Sequence, residues 1–204
     1  MIKAIVFDIG NVLVDFAWEP FYRSFGFSES VFERLTKATV KSEVWNELDR
    51  GEWSIERIID AFIENDPGIE REIRHVFKDT SEILIKRTYA IPWVEDLRKQ
   101  GYKVLYLSNM GEMTHRQCWD ALEFMDHMDG GVLSYELKII KPNPAIYQAL
   151  LDQYGLKPEE CVFIDDTLKN IIAANELGFY GIHAIDHETV LKELEKLGIP
   201  AYNR

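Results

Sequence analysis

Cysteine is scarce in this chain. Cys118 and Cys161 stand far apart with no CxxC spacing, which excludes a disulfide framework or a metal-finger pattern and leaves two reduced core thiols as the expectation. No apolar run approaches the roughly 18 residues that a membrane-spanning helix needs. Four uncharged residues, Ala4 to Phe7, separate Lys3 from Asp8. That is too short for the apolar region of a signal peptide, so a cytoplasmic location is expected. The five histidines include no HxH or HExxH spacing, so zinc chemistry has no support. A GxGxxG fingerprint and a Walker-type glycine loop are lacking too, which argues against dinucleotide and P-loop use. Positive charge is in the minority, with 23 basic against 35 acidic residues and a formal net charge of -12. Such a surface repels nucleic acid and anionic lipid, so neither is an expected partner, and a phosphorylated ligand would need local cations.

What is present is a chain of 204 residues with 47% hydrophobic composition, enough for one core of ordinary size and a modest accessory piece. Residues 2 to 7 form an apolar run that stops at Asp8, with Gly10 and Asn11 behind it as breakers, and this reads as a buried strand entering a loop. The pattern recurs at Lys103 to Leu107 before Ser108 and Asn109, and at Cys161 to Ile164 before Asp165 and Asp166. Helical patterns lie between and after these runs: 92–100 opening with Pro92, 142–154 opening with Pro142, and 167–177 closing at Gly178. A further strand is expected at Tyr180 to Ala184 and an amphipathic helix at 187–197. Alternation of this kind predicts an α/β fold, a Rossmann-like parallel sheet covered on both faces. Residues 16 to about 85 break the alternation. They show no convincing strand, while Val31, Leu35 and Ala38, then Ile55, Ile58, Ile59 and Phe62, recur at helical spacing. Core segments at 1–15 and 86–204 around a helical insertion of about four helices at 16–85 are therefore expected.

In an open parallel sheet, ligands bind beyond the carboxyl ends of the strands. Asp8, Ser108 with Asn109, and Asp165 with Asp166 all stand at such ends. Each alone is explained by the taste of Asp, Ser and Asn for turns and helix caps, but three carboxylates, a hydroxyl and the nearby Lys141 together predict a site. Crowded carboxylates call for a hard, oxygen-seeking cation, and Mg²⁺ takes one or two carboxylates plus water and substrate phosphate. A carboxylate metallated through one oxygen keeps the other for attack on phosphorus. Ser108 can donate to phosphate, the backbone N–H groups after it open a helix suited to an anion, and Lys141 supplies a mobile positive charge.

The segments Phe7-Asp8-Ile9-Gly10-Asn11-Val12-Leu13, Leu107-Ser108-Asn109, Lys141-Pro142 and Phe163-Ile164-Asp165-Asp166 resemble, in order and across the whole chain, the four motifs of the haloacid dehalogenase superfamily. The helical insertion resembles its C1-type cap, and residues 8 to 12 resemble the subgroup containing bacterial α-D-glucose-1-phosphate phosphatase. The resemblance implies a Mg²⁺-dependent phosphatase acting on small phosphorylated metabolites through an aspartyl-phosphate on Asp8. It implies Asp8, the Gly10 carbonyl, Asp166 and Asp165 as metal ligands, Asp165 either direct or through water, and Ser108, Asn109 and Lys141 as phosphate-binding positions. Asn170 either orients Asp166 or solvates its helix. In the charged turn Glu47 to Glu52, which resembles the cap's substrate-facing segment, Arg50 either contacts substrate or belongs to a solvated charge run.

One departure from the family stands out. Phosphatases of this kind usually carry a second aspartate two residues after the nucleophile as general acid and base, and here Gly10 occupies that position. The expectation is a preference for good leaving groups, such as anomeric sugar phosphates or acyl and aryl phosphates. Asp15 is either a substitute acid or an ordinary loop carboxylate. Trp18, Trp45, Trp53 and Trp93 read as packing residues before they read as a sugar platform. Alternatives to a phosphatase are a phosphate-binding regulatory protein with little turnover and a metal-free dehalogenase. Both a monomer and a homodimer are compatible with the sequence.

Overall fold

The structure, a computed structural model, describes residues 1–200. Seven strands run in chain order: β1 (Ala4–Phe7), β2 (Val14–Phe16), β3 (Leu84–Lys86), β4 (Lys103–Ser108), β5 (Gly131–Leu133), β6 (Cys161–Asp165) and β7 (Tyr180–His183). Five of them form a parallel sheet in the order β5-β4-β1-β6-β7. Its register sets Ile5 against Val104 on one side and Val162 on the other. Alternate residues of these strands enter two separate cores: Ile5, Phe7, Val104 and Ile164 face one, while Ala4, Val6, Leu105 and Phe163 face the other. A sheet buried on both faces is why these strands read as continuous apolar runs. From β1 the chain order departs in both directions, to β4 and to β6, so a crevice opens at the carboxyl ends of these three strands.

Five α-helices stand between β2 and β3: α1 (Trp18–Ser24), α2 (Glu29–Ala38), α3 (Val44–Arg50), α4 (Ile55–Asn65) and α5 (Glu70–Val76). Ser28 and Ser54 cap α2 and α4 by accepting the Val31 and Arg57 N–H groups. Trp45, Phe62 and Phe77 pack ring to ring inside the bundle. The stretch read as free of strand in fact opens and closes on an antiparallel ribbon, with Asp15 opposite Ile85. Three-residue strands are too short for periodicity to reveal.

Six more α-helices follow β3: α6 (Ala90–Lys99), α7 (Glu112–Gln117), α8 (Ser134–Leu137), α9 (Pro144–Tyr154), α10 (Leu168–Glu176) and α11 (His187–Lys196). The proline signals were displaced by two residues. Pro92 lies within α6, and α9 opens with Pro144 after Asn143, whose Oδ1 accepts the Ala145 N–H, while Pro142 stays in the preceding loop in a cis linkage to Lys141. No helix among the described residues is long and apolar enough to cross a membrane.

Candidate active site

Asp8 is the first residue past β1, held there by its N–H on the Ile164 carbonyl at 2.8 Å. Its Oδ1 accepts three hydrogen bonds: from the Ile9 N–H at 2.8 Å, from Ser108 Oγ at 2.7 Å and from Lys141 Nζ at 2.9 Å. Oδ2 has no donor among the described residues. The carboxylate is thus oriented through one oxygen with the other left open. Burial pushes its pKa up, Lys141 pulls it back, Asp165 and Asp166 raise it again, and it settles at about 6.

Lys141 differs from its expected role. It was read as a mobile charge, yet it is 1% exposed and its three protons are spent on Asp8 Oδ1, Asp165 Oδ2 at 2.6 Å and the Leu107 carbonyl at 2.8 Å. Burial alone would lower its pKa, but Asp165 and Asp8 outweigh that and hold it above the ordinary lysine value. The lysine is a fixed counter-charge between two carboxylates.

Asn109, expected on phosphate, lines the cavity of the site, and its side-chain amide accepts the Lys141 N–H at 2.7 Å and donates to the Lys141 carbonyl at 3.1 Å, which pins the loop that delivers the lysine.

The two aspartates after β6 divide their tasks. Asp165 is fully buried, and both its oxygens are engaged by Lys141, Asn170 Nδ2 and the Thr167 N–H. Asn170 therefore orients Asp165, where Asp166 or solvent had been expected. Asp166 is half-buried and bonded to Asn11 Nδ2 at 2.9 Å and Thr167 Oγ1 at 3.3 Å. Asn11 has a φ of 56°, a left-handed backbone that asparagine tolerates better than most residues. It also accepts the Phe16 N–H, so one side chain ties the loop after β1 to both Asp166 and the ribbon.

Carboxylate oxygens of Asp8, Asp165 and Asp166 lie within 4.8 Å of one another. Asn170 Oδ1 is buried beside them with no donor, an oxygen that water or a hydrated cation would satisfy. An all-oxygen set of this kind suits a hard divalent cation.

Above the trio lies a cavity of about 260 Å³. Asp8, Gly10, Ser108, Lys141 and Asp166 form its floor, and Phe16, Trp45, Leu84 and Asp49 reach it from the ribbon and the insertion. Arg50, the expected substrate contact, is absent from that lining and pairs with Glu47 at 3.2 Å. Its neighbour Asp49 enters instead. Burial first and the charge of Asp8 second push its carboxyl up to about 7. Asp15 is not in the cavity but on the ribbon, where it pairs with Arg87. Trp45 lines the cavity, while Trp93 packs against Phe7 and Trp18 against Phe32. Asp49 and Asn11 had no assigned role in the sequence, and Trp45, read there as packing before a sugar platform, lines the cavity. The only hint was the charged turn around Asp49, and complementarity to phosphate there favoured the arginine.

The family model described as haloacid dehalogenase-like hydrolase matches residues 2–178. A sesquiterpene phosphatase of Aspergillus oryzae is 27% identical over 195 residues, covering 96% of each chain. A phosphatase of Mycobacterium tuberculosis is 27% identical over 221 residues, covering 97% of this chain and 95% of that one. The chain also matches the mouse bifunctional epoxide hydrolase 2, over only 19% of that protein's length. Among solved structures, a HAD family enzyme of Bacteroides thetaiotaomicron, determined with magnesium and inorganic phosphate, has the same fold. It is 24% identical, with a TM-score of 0.71 over 93% of this chain and 99% of that one.

Proposed function

Because this chain belongs to the haloacid dehalogenase-like hydrolases, we propose that it is a magnesium-dependent phosphatase that hydrolyses small-molecule phosphate monoesters through an aspartyl-phosphate on Asp8. The observation that carries this reading is the Asp8 carboxylate, anchored through Oδ1 by three donors and open at Oδ2, at the floor of a cavity. Attack of that carboxylate on phosphorus forms the Asp8–phosphate bond and releases the alcohol, and water then cleaves the acyl phosphate. Ser108 and Lys141 stabilise the charge that shifts between Asp8 and the phosphoryl oxygens.

Asp8 and Asp166 would hold the magnesium, with the Gly10 carbonyl beside them and Asp165 acting through water, since its own oxygens are engaged. Bound there, the ion would neutralise phosphate charge in a site where, among the described residues, Asp8, Asp49, Asp165 and Asp166 are joined by the cations Lys141 and Lys169 alone. The names of the two full-length relatives and the phosphate held by the structural neighbour support the same chemistry.

The cavity is smaller than the ~300 Å³ at which ligand pockets commonly begin, which favours a small metabolite. Sugar phosphates are the finer reading, carried by the likeness of residues 8 to 12 to the glucose-1-phosphate phosphatase subgroup, under the C1-type cap that we assign to α1–α5. Gly10 supplies no proton. A preference for anomeric and other good leaving groups therefore holds only as far as no other acid reaches the leaving oxygen.

Hydrolysis of a panel of sugar, alkyl and aryl phosphates, in Mg²⁺ and in EDTA, tests the reading. Metal-dependent turnover abolished by Asp8→Asn is the expected result. Phosphate binding without turnover across the panel would sink it in favour of a regulatory binding protein.

A further inference from the structure

Turnover by the proposed phosphatase needs a proton at the leaving oxygen and later a base for water, and the usual position for that group is Gly10. Among the carboxylates that line the cavity, Asp8 and Asp166 belong to the cation-binding trio, and Asp49 alone does not. Lys141 has no proton to spare, because Asp8, Asp165 and the Leu107 carbonyl take all three. Asp15 is tied to Arg87 outside the cavity.

The backbone around Asp49 is seated on the core domain with little freedom. Ser134 Oγ donates to the Asp49 carbonyl at 2.6 Å, and Lys138 Nζ donates to the Gly51 carbonyl at 2.6 Å. Two glycines permit the close approach. A Cβ on Gly111 would stand 2.7 Å from the Leu48 carbonyl oxygen, and one on Gly51 would stand 2.8 Å from Tyr135 Cβ. Contacts at such distances exist only where a side chain is absent. The end of α3 is thereby wedged between the loop before α7 and the start of α8, and its last acidic side chain enters the cavity that holds Asp8.

Resting on the phosphatase reading, we propose that Asp49 is the general acid and base of this enzyme, delivered from the helical insertion in place of the group missing at position 10. As the Asp8 oxygen bonds to phosphorus and the ester P–O bond breaks, the protonated Asp49 carboxyl gives its proton to the departing alkoxide, which leaves as the alcohol. The Asp49 carboxylate then takes a proton from water as the water oxygen bonds to phosphorus. The bond from phosphorus to Asp8 breaks, phosphate is released, and both aspartates return to their starting states. No arginine, lysine or histidine pairs with Asp49 within 4.0 Å among the described residues, so no ion pair keeps it permanently charged. A carboxyl raised to about 7 is populated in both forms at neutral pH, the condition under which one group can serve both half-reactions.

The proposal reverses the leaving-group expectation drawn from Gly10. The wild-type rate should depend only weakly on leaving-group acidity, and Asp49→Asn should make the dependence steep. The test is a series of alkyl to aryl phosphates with wild type, Asp49→Asn and Asp49→Glu, each with Mg²⁺. We expect Asp49→Asn to lose roughly 10²- to 10⁴-fold with alkyl phosphates and much less of the first step with p-nitrophenyl phosphate. That variant should release a burst of nitrophenol and accumulate phosphorylated Asp8, detected by intact-protein mass, because the water-activating base is gone. Asp49→Glu should recover part of the loss. Equal losses for alkyl and aryl esters with no burst would overturn the proposal, as would an unaffected alkyl rate. Should Asp49→Asn not fold, the wild-type series still decides, since a steep dependence there means that no acid is present. Absence of any wild-type turnover would instead remove the phosphatase reading itself.

Discussion

Replacing Lys141 with methionine leaves two carboxylates facing each other without their counter-charge. Asp165 is 0% exposed and Asp8 only slightly more accessible, so neither can recover in water what it loses from the ammonium. Breaking a buried pair by removing one partner costs roughly 3–5 kcal/mol, a large share of a total stability of about 5–15 kcal/mol. Methionine matches the lysine stem in length, so lost packing adds little. With a urea m-value of about 2 kcal/mol per M, the unfolding midpoint should fall by roughly 1.5–2.5 M at pH 7.5 in EDTA. Adding Asp165→Asn to Lys141→Met removes one orphaned charge and should recover part of that shift, a coupling of about 0.5–3 kcal/mol. Urea titrations of wild type, both single variants and the double variant close the cycle. A Lys141→Met midpoint within about 0.5 M of wild type, or additive losses in the double variant, would refute the view of Lys141 as a fixed counter-charge.

Two further outcomes follow from the same geometry. Asp8 at about 6 and Asp49 at about 7 both lie above the unfolded value of 3.8, so the folded chain binds more protons than the unfolded one between roughly pH 4 and 7. The metal-free protein should therefore gain on the order of 4 kcal/mol between pH 8 and pH 5; thermal melts in EDTA that are higher at pH 8 would contradict this. Asn11→Gly keeps the left-handed backbone but removes the amide that holds Asp166. It should weaken Mg²⁺ binding by roughly 10- to 100-fold, and calorimetric titration giving an unchanged affinity would exclude that orienting role.

The parallel sheet and the floor of the site were legible in the residues because both are local in origin. A strand buried on two faces must be a continuous apolar run, and the polar residues that follow it emerge together at one end of the sheet, as Asp8, Ser108, Asp165 and Asp166 do. The β2–β3 ribbon escaped notice because three residues are too few to show a period. Three assignments depended on contacts between segments distant in the chain. Lys141 is immobile because Asp8, Asp165 and Leu107 converge on it, and Asn109 is bonded to the lysine's own backbone. Which residue of the charged turn enters the cavity was decided by packing. Gly111 and Ser134 seat the end of α3 so that Asp49 turns inward and Arg50 stays with Glu47. Composition and spacing specify which groups a loop carries, but only the docking of the insertion on the sheet decides which of them meets the nucleophile.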